Sequence, residues 1–260
     1  MVVSVPLVTA AHARRFCDEG YFVVEGVLPP TDLEMLRSEC QRLVDERNGE
    51  MTRLGVDMLD LCHRGRRYFV HAYDKSPAVR RFLFSDLIAQ TAQAALGDTI
   101  YLFNEQYVVK AAERGMAFGW HQDSGFIPYP HPPYLTCWIP LDDVTEANGT
   151  VYLLPYPRAG TRDVVEHRRD EKTHDMIGYF GDDPGDPVVV PAGSIICFSS
   201  NASSIWPCAT TMRASGSCSC SHAACRSIVA TRLWTQKTWP SRSSSRRTAP
   251  SASPSSYEPT

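Results

Sequence analysis

Apolar residues recur at helical spacing in the first hundred positions of the chain. The segment Thr31–Glu34 has the pattern of a capping box, and apolar side chains follow every three or four residues, which predicts a helix over 30–47. The same periodicity predicts a second helix over 77–96, because Gly97 is a typical helix stop. Helices therefore precede the rest of the fold.

The remainder of the chain is dominated by short apolar runs separated by turn signals such as Asn148-Gly149 and Ala192-Gly193. The predicted strands are 20–24, 100–110, 134–141, 151–154, 188–190 and 194–198. Helices followed by many short strands indicate an α+β, mainly β chain. Its core is predicted to be an antiparallel barrel or jelly roll, with the N-terminal helices packed on it.

Composition narrows the class of protein without changing this picture. Hydrophobic residues make up 43% of the 260 positions and the net charge is −3, as expected for a globular domain that binds no nucleic acid. No run of about 18 apolar residues predicts a membrane span, and no secretory leader is recognisable. We therefore expect a cytoplasmic protein without a membrane partner. Its oligomeric state is not indicated.

The nine cysteines are an odd number for a disulfide framework. Five of them lie among apolar residues, where a thiol acts as a small hydrophobe. They are predicted to be reduced core cysteines: Cys17, Cys40, Cys62, Cys137 and Cys197.

A change in charge divides the chain near Asn201. Residues 1–200 contain 19 basic and 28 acidic residues, whereas residues 201–260 contain seven basic residues and one acid, Glu258. The second segment is also rich in Ser, Arg, Cys and Pro, a composition that buries little apolar surface. We therefore predict a domain over 1–201, with an incomplete jelly roll, and an atypical tail over 202–260 that is disordered or translated out of frame.

The clearest chemical signal is Trp120-His121-Gln122-Asp123, at the end of an apolar strand. Residues two apart on a strand lie on the same face, so His121 and Asp123 can approach one ion. An imidazole and a carboxylate, joined by a second histidine from a distant strand, form the facial triad of non-haem iron(II) oxygenases. His-x-Asp alone is also compatible with a surface histidine before a turn.

Several further segments, in order over about 180 residues, resemble the phytanoyl-CoA dioxygenase family of iron(II)/2-oxoglutarate oxygenases. The matching segments are Glu19–Leu28, Trp120–Asp123, Leu135–Asp143, Asn148–Pro155, Pro191–Ser194 and Phe198–Asn201. The resemblance implies a double-stranded β-helix, a cupin-like jelly roll, that uses iron(II), 2-oxoglutarate and oxygen. It also implies hydroxylation of a small organic substrate while 2-oxoglutarate becomes succinate and carbon dioxide.

The resemblance assigns His121 and Asp123 as iron ligands, and the retained Asp123 argues against a halogenase. It places Asn104, Lys110 and Trp138 where relatives line the 2-oxoglutarate pocket. Each has a structural alternative as well: a turn residue, an exposed cation at a strand end and a core aromatic, respectively.

Two further features lie beside the predicted metal ligands. Gln122 points to the opposite strand face from its neighbours and is predicted to be structural or to face the substrate. The loop over 158–187 lies between two strands where relatives carry a lid. Its cations, which include Arg162, His167 and Lys172, favour a polar or anionic substrate, although charged loops are often simply solvated.

The third iron ligand is absent from its expected place. In the family, the strand that matches Ile195–Phe198 leads within a few residues to a second histidine. An arginine ten or eleven residues further on pairs with the far carboxylate of 2-oxoglutarate. Here the segment over 203–213 contains no histidine.

A slip of the reading frame near Asn201 accounts for both the missing ligand and the unusual tail. Translation from the last base of the Ser204 codon allows His-Leu-Ala-Leu-Arg-Asn, with an arginine eleven positions after the histidine. The Ser/Cys run over 217–221 then becomes an apolar strand. DNA sequencing that shows an unbroken frame matching close relatives would exclude this hypothesis.

Two alternatives keep the tail as written. In the first, His222 is the third ligand and Arg232 binds 2-oxoglutarate, which requires an insertion of about 18 residues relative to the family. In the second, the tail forms a zinc site from Cys208, Cys218, Cys220, His222 and Cys225, although it lacks Cys-x-x-Cys spacing. A different functional class also remains, namely a catalytically inactive remnant without the distal histidine and the arginine.

Overall fold

The computed structural model describes residues 7–60, 62–63, 66–97, 99–110, 118–171, 176–206 and 225–234. For residues 63, 66, 67, 110, 118, 206 and 225–234, the description covers the backbone alone.

Five helices occur in the described chain, and most of them lie before the main strands. They are α1 (Ala10–Glu19), α2 (Pro30–Leu54), α3 (Pro77–Leu83), α4 (Asp86–Leu96) and α5 (Tyr156–Ala159). Helix α2 continues beyond the predicted end because Met51 is buried, and it stops where Gly55 adopts φ +69°. The predicted helix over 77–96 is divided in two, since the Ser85 hydroxyl accepts the Ile88 N–H and caps a new helix.

The strands follow the predicted order with small shifts at their ends. They are β1 (Tyr21–Val24), β2 (Met58–Leu59), β3 (Cys62–His63), β4 (Arg66–Val70), β5 (Tyr101–Leu102), β6 (Glu105–Lys110), β7 (Phe118–Gln122), β8 (Leu135–Pro140), β9 (Tyr152–Leu154), β10 (Arg168–Arg169), β11 (Met176–Ile177), β12 (Asp186–Pro187), β13 (Ile195–Ser199), β14 (Ser203–Trp206) and β15 (Cys225–Trp234).

The strands form two facing antiparallel sheets and a small hairpin. The larger sheet has the order β1-β13-β8-β15-β6-β4-β3-β2, with β5 beside β15, and the smaller sheet has the order β12-β9-β14-β7. Strands β10 and β11 pair only with each other. Strands β6 to β9 alternate between the two sheets, β12 returns beside β9 after the small hairpin, and β13 to β15 alternate again, which is the winding of a jelly roll. The predicted fold class is therefore confirmed.

Alternating side chains of β8 separate two hydrophobic clusters. Leu135, Cys137 and Ile139 pack on one side with residues of the N-terminal helices. Trp138 points the other way and packs with Ile196 between the two sheets. A strand buried on both faces explains why this segment of the sequence is almost continuously apolar.

The sheets extend beyond the domain boundary predicted at Asn201. Strand β14 adds Ser203–Trp206 to the smaller sheet, and β15 lies between β8 and β6 in the larger one. Residues 207–224 and 235–260 of the predicted tail lie outside the described residues. The division of the chain into a domain and an atypical tail therefore stays a prediction, with β15 as a tail segment that belongs to the sheet.

Four of the five cysteines predicted to be core thiols are buried and form no disulfide among the described residues: Cys40, Cys62, Cys137 and Cys197. Cys17 was predicted wrongly, because it lies on α1, an element without a buried residue, and is exposed. Helical spacing brings Phe16 rather than its neighbour towards the core.

A buried carboxyl group lies where β6 meets the turn before α3. Glu105 is completely buried, and its Oε2 atom accepts the Tyr73 N–H at 3.3 Å. Burial raises the pKa of Glu105 to about 7, an effect that the backbone hydrogen bonds from Tyr73 and Ala72 oppose and the nearby Asp74 reinforces.

This shift makes the stability of the fold depend on pH. Because the pKa of Glu105 is higher in the folded than in the unfolded chain, its contribution is fully present at low pH and is lost as the pH rises through about 7. Measured by urea unfolding, the free energy of unfolding should fall between pH 5 and pH 8 by about 2 kcal/mol less in Glu105→Gln than in the wild-type protein. The exposed Glu25→Gln is the control. An unchanged pH profile in the Glu105 variant would contradict the account.

Candidate metal centre

The predicted metal ligands lie at the end of strand β7, the terminal strand of the smaller sheet. His121 is on the strand and Asp123 begins the 3-10 turn that follows it. Their side chains approach each other, with 3.8 Å between His121 Nε2 and Asp123 Oδ1, and each is 15% exposed. Two atoms about 2.1 Å from one ion lie at most about 4.2 Å apart, so this spacing allows both to bind it.

Each of the two side chains is oriented by a hydrogen-bond partner. The Nδ1 atom of His121 lies 2.8 Å from the Gly119 carbonyl oxygen, which directs Nε2 towards Asp123. On the other side, the Thr136 hydroxyl donates to Asp123 Oδ2 at 2.6 Å. A histidine oriented by a carbonyl and a carboxylate oriented by a hydroxyl are typical of metal ligands. These two residues therefore fit a divalent metal ion.

A third ligand is not found in the part of the chain that the structure describes. Within those residues, no group of three or more His, Cys, Asp or Glu side chains is placed to hold a metal ion. The strand that pairs with β7 is β14, and in its register Ser204 lies opposite His121. Among the described residues, two side chains are therefore placed as candidate ligands of one ion, and a serine lies opposite one of them.

Of the other predicted site residues, only Trp138 and Asn104 have described side chains. Trp138 faces the space between the sheets, on the same strand face as Thr136, which contacts Asp123. Asn104 is half-buried just before β6. Lys110 ends β6 and Arg232 lies on β15, both with a described backbone only. His222, like the remaining zinc candidates apart from the backbone of Cys225, lies outside the described residues.

Gln122 lies on the opposite face of β7 from His121. Its side chain connects β7 to the loop after α5 and to the turn between β13 and β14. Its Nε2 atom donates to the carbonyl oxygens of Asn201 (2.6 Å) and Asp163 (3.0 Å), and its Oε1 atom accepts the Val165 N–H at 2.8 Å. With 1% of its surface exposed, Gln122 has a structural role. The Gln122 side chain therefore anchors the loop after α5 and the β13–β14 turn to strand β7.

His167 was predicted from the sequence only as one of the cations of the loop over 158–187, but it contacts β7, the strand that carries His121. Its Nε2 atom accepts the Gln122 N–H at 2.9 Å, and its Nδ1 atom lies 2.9 Å from the Val165 carbonyl oxygen. Burial lowers the pKa of His167, which favours the neutral ring that these contacts require. The ring fills a slot against Gly125 and Gly178, where a Cβ atom would lie 2.3 and 2.5 Å away.

The slot can be tested by a double-mutant cycle. Gly125→Ala should destabilise the chain by about 2 kcal/mol, because the new methyl group overlaps the His167 ring. His167→Ala should also destabilise it, since the Gln122 N–H loses its acceptor. Urea unfolding should show that the double variant is no less stable than His167→Ala alone. Additive losses would contradict this arrangement.

The described residues of the predicted lid, 158–171 and 176–187, lie between strands β9 and β12. Helix α5 begins it, the β10–β11 hairpin lies in its middle, and the Gly178 N–H donates to the Trp120 carbonyl of β7 at 2.8 Å. Its two ends are joined by Arg158, which forms ion pairs with Asp183 and Asp186. The hairpin therefore covers the outer edge of the strand that carries His121.

Comparison with known proteins identifies the family. The family description "phytanoyl-CoA dioxygenase (PhyH)" matches residues 16–203, a range that includes His121 and Asp123 of the candidate site. The chain belongs to the phytanoyl-CoA dioxygenase family.

Curated relatives carry names of dioxygenases. A probable alpha-ketoglutarate-dependent hypophosphite dioxygenase of Stutzerimonas stutzeri is 25% identical over 177 residues, 62% of this chain and 57% of that protein. An L-proline trans-4-hydroxylase of Streptomyces griseoviridis is 26% identical over 180 residues, 67% of this chain and 64% of that protein. The chain thus spans less than two thirds of the length of these relatives. The names favour a dioxygenase over an inactive remnant.

Solved structures support the fold. The non-haem alpha-ketoglutarate-dependent carbocyclase SnoK from nogalamycin biosynthesis has a TM-score of 0.64 and 17% identity, covering 87% of this chain and 84% of its own. EvdO2 from Micromonospora carbonacea var. aurantiaca, complexed with 2-oxoglutarate, has a TM-score of 0.63 and 15% identity, covering 91% and 97%. Among the described residues of this chain, no helix is long and apolar enough to cross a membrane.

Proposed function

We propose that the chain is an iron(II)- and 2-oxoglutarate-dependent dioxygenase that hydroxylates a small organic substrate. The observation that carries this proposal is the convergence of His121 Nε2 and Asp123 Oδ1, 3.8 Å apart, at the end of strand β7. The family membership and the names of the curated relatives support the same activity.

In this proposal, two residues bind the metal ion and two further groups orient them. When bound, iron(II) with 2-oxoglutarate and oxygen supplies a two-electron oxidation that yields succinate and carbon dioxide. His121 and Asp123 hold the ion, and the Gly119 carbonyl and the Thr136 hydroxyl hold the ligands. We further propose that Asn104, Lys110 and Trp138 line the 2-oxoglutarate pocket. The low exposure of the ligands keeps bulk water from much of the site.

The substrate is proposed to be small and polar, in line with the names of the relatives. The cations of the loop over 158–187 give weaker support for an anionic substrate, because several have partners within the protein. Arg158 binds Asp183 and Asp186, Arg162 donates to the Cys17 carbonyl, and Arg168 lies over the Phe180 ring. The exposed Phe126, whose ring centroid lies 5.3 Å from that of His121, adds apolar surface beside the candidate ligands.

Succinate formation tests the proposed activity. The full-length chain, supplied with saturating iron(II), 2-oxoglutarate, ascorbate and oxygen, should form succinate only when iron and 2-oxoglutarate are both present. The His121→Ala variant should form none. Failure of the folded, iron-loaded protein to turn over 2-oxoglutarate with any of a panel of small amino acids and organic acids would overturn the proposal.

A reducing compartment, the cytoplasm, is the location that we propose. The buried Cys137 and Cys197 support it, because their Sγ atoms lie 3.7 Å apart as free thiols. Burial raises the pKa of the Cys197 thiol, which keeps it protonated and unreactive.

A further inference from the structure

We infer that Ser204 occupies the position of the third iron ligand, so that the metal centre of this chain presents a hydroxyl where a facial triad requires an imidazole. The inference rests on the proposed function, because it concerns the same ion that His121 and Asp123 would hold. In this respect the chain departs from a complete facial triad. A single position, Ser204, then controls its affinity for metal.

The strand register places Ser204 beside the metal. Strands β7 and β14 are antiparallel neighbours, with Ser204 opposite His121 and Ser203 opposite Gln122. Directly opposed residues point to the same face of a sheet, and their Cβ atoms lie about 5 Å apart. Ser204 therefore shares the face of His121, whereas Ser203 shares the face of Gln122, which anchors the loop.

The burial of Ser204 is compatible with a place beside the candidate ligands. Ser204 is 5% exposed, so its side chain does not lie on the surface, and the register with His121 decides which face it occupies. From this position, the side chain of a histidine would extend towards the ion. A neutral hydroxyl is also a poorer ligand for iron(II) than an imidazole nitrogen.

The hypothesis of a shifted reading frame points to the same part of β14. The shifted frame allows a histidine codon that starts at the last base of the Ser204 codon and takes its other two bases from the Ile205 codon. The strand register then selects Ser204, because Ser204 lies opposite His121, whereas Ile205 points to the other face of β14.

Substitution at Ser204 tests the inference, with cobalt(II) as an oxygen-stable probe and iron(II) under anaerobic conditions. Ser204→His should raise the affinity for either ion by at least about tenfold, measured by competition with a chelator. Ser204→Cys, which changes the volume little, should add a thiolate-to-cobalt charge-transfer band in the near ultraviolet that the wild-type protein lacks. The cysteine variant keeps the test decisive if a buried histidine hinders folding.

The neighbouring residue provides a matched control. Ser203 is also buried, at 6% exposure, but lies on the opposite face, so Ser203→His should give no tighter binding and Ser203→Cys no charge-transfer band. Unchanged affinity in Ser204→His together with no band in Ser204→Cys would overturn the inference and place the third ligand elsewhere, for example at His222. Equal cobalt affinity in wild type and His121→Ala would instead refute the proposed site itself.

Discussion

Replacement of His121 by alanine is expected to lower the affinity for iron(II) by more than about a hundredfold. Loss of a group that only orients a metal ligand typically weakens metal binding by about 10- to 100-fold, and we propose that His121 is itself one of the ligands. Isothermal titration with cobalt(II) under matched conditions measures the difference directly.

A graded series distinguishes loss of a ligand from general damage to the fold. Thr136→Val keeps the side-chain shape but removes the hydroxyl that donates to Asp123, so we expect about a tenfold loss of affinity. His12→Ala removes a histidine of helix α1 that packs on Phe22, and it should leave the affinity unchanged. Similar losses in all three variants would show that the effect is not specific to the metal centre.

Replacement of Gln122 by leucine is expected to destabilise the fold by about 3 kcal/mol. The leucine fills a similar volume but leaves the Val165 N–H and the Asn201 and Asp163 carbonyl oxygens without their partner. Each buried polar group left unpaired costs about 1–3 kcal/mol, and relaxation of the loop recovers part of the sum. Urea unfolding measures the change, and protease cleavage of the loop over 160–171 reports where it occurs.

Two further variants test the role of the Gln122 amide. Gln122→Glu should destabilise the fold more than Gln122→Leu, because a carboxylate would face two carbonyl oxygens that now accept N–H groups. Gln41→Leu, at an exposed glutamine that bonds Asp45 on helix α2, should change stability by less than about 0.5 kcal/mol. A neutral effect of Gln122→Leu would show that this network contributes little.

The jelly roll was predictable from the sequence because its central strands carry strong local signals. Strand β8 is apolar on both faces, and the turn at Gly149, with φ +87°, follows a capping box at Thr145. The single helix predicted over 77–96 is two helices in the structure. Ser85, a polar residue inside an otherwise periodic segment, caps the second of them. Periodicity alone does not distinguish a helical serine from a capping one.

The pair His121 and Asp123 was predictable because both residues lie on one short segment, where strand geometry alone determines their spacing. The position of Ser204 was not, since it depends on the register between β7 and β14, which are separated by about 80 residues. His167 was missed for a similar reason. Its ring fits against Gly125 and Gly178, and neither glycine signals a partner in the sequence.

The burial of Glu105 also escaped the sequence analysis. A glutamate at the start of an apolar strand is usually exposed, but here the turn before α3 directs the backbone N–H groups of Ala72 and Tyr73 at its carboxyl group. This contact joins β6 to a turn about 30 residues earlier. Tertiary placement, rather than the local pattern, explains why the carboxyl group is buried.

Anaerobic absorption spectroscopy tests the central claim, that His121 and Asp123 hold an iron(II) ion that binds 2-oxoglutarate. Addition of saturating iron(II) and 2-oxoglutarate to the full-length protein should produce a visible charge-transfer band that neither component gives alone. The band should be absent from His121→Ala. A wild-type protein that remains folded but shows no band, or a His121→Ala variant with the same band, would contradict the account.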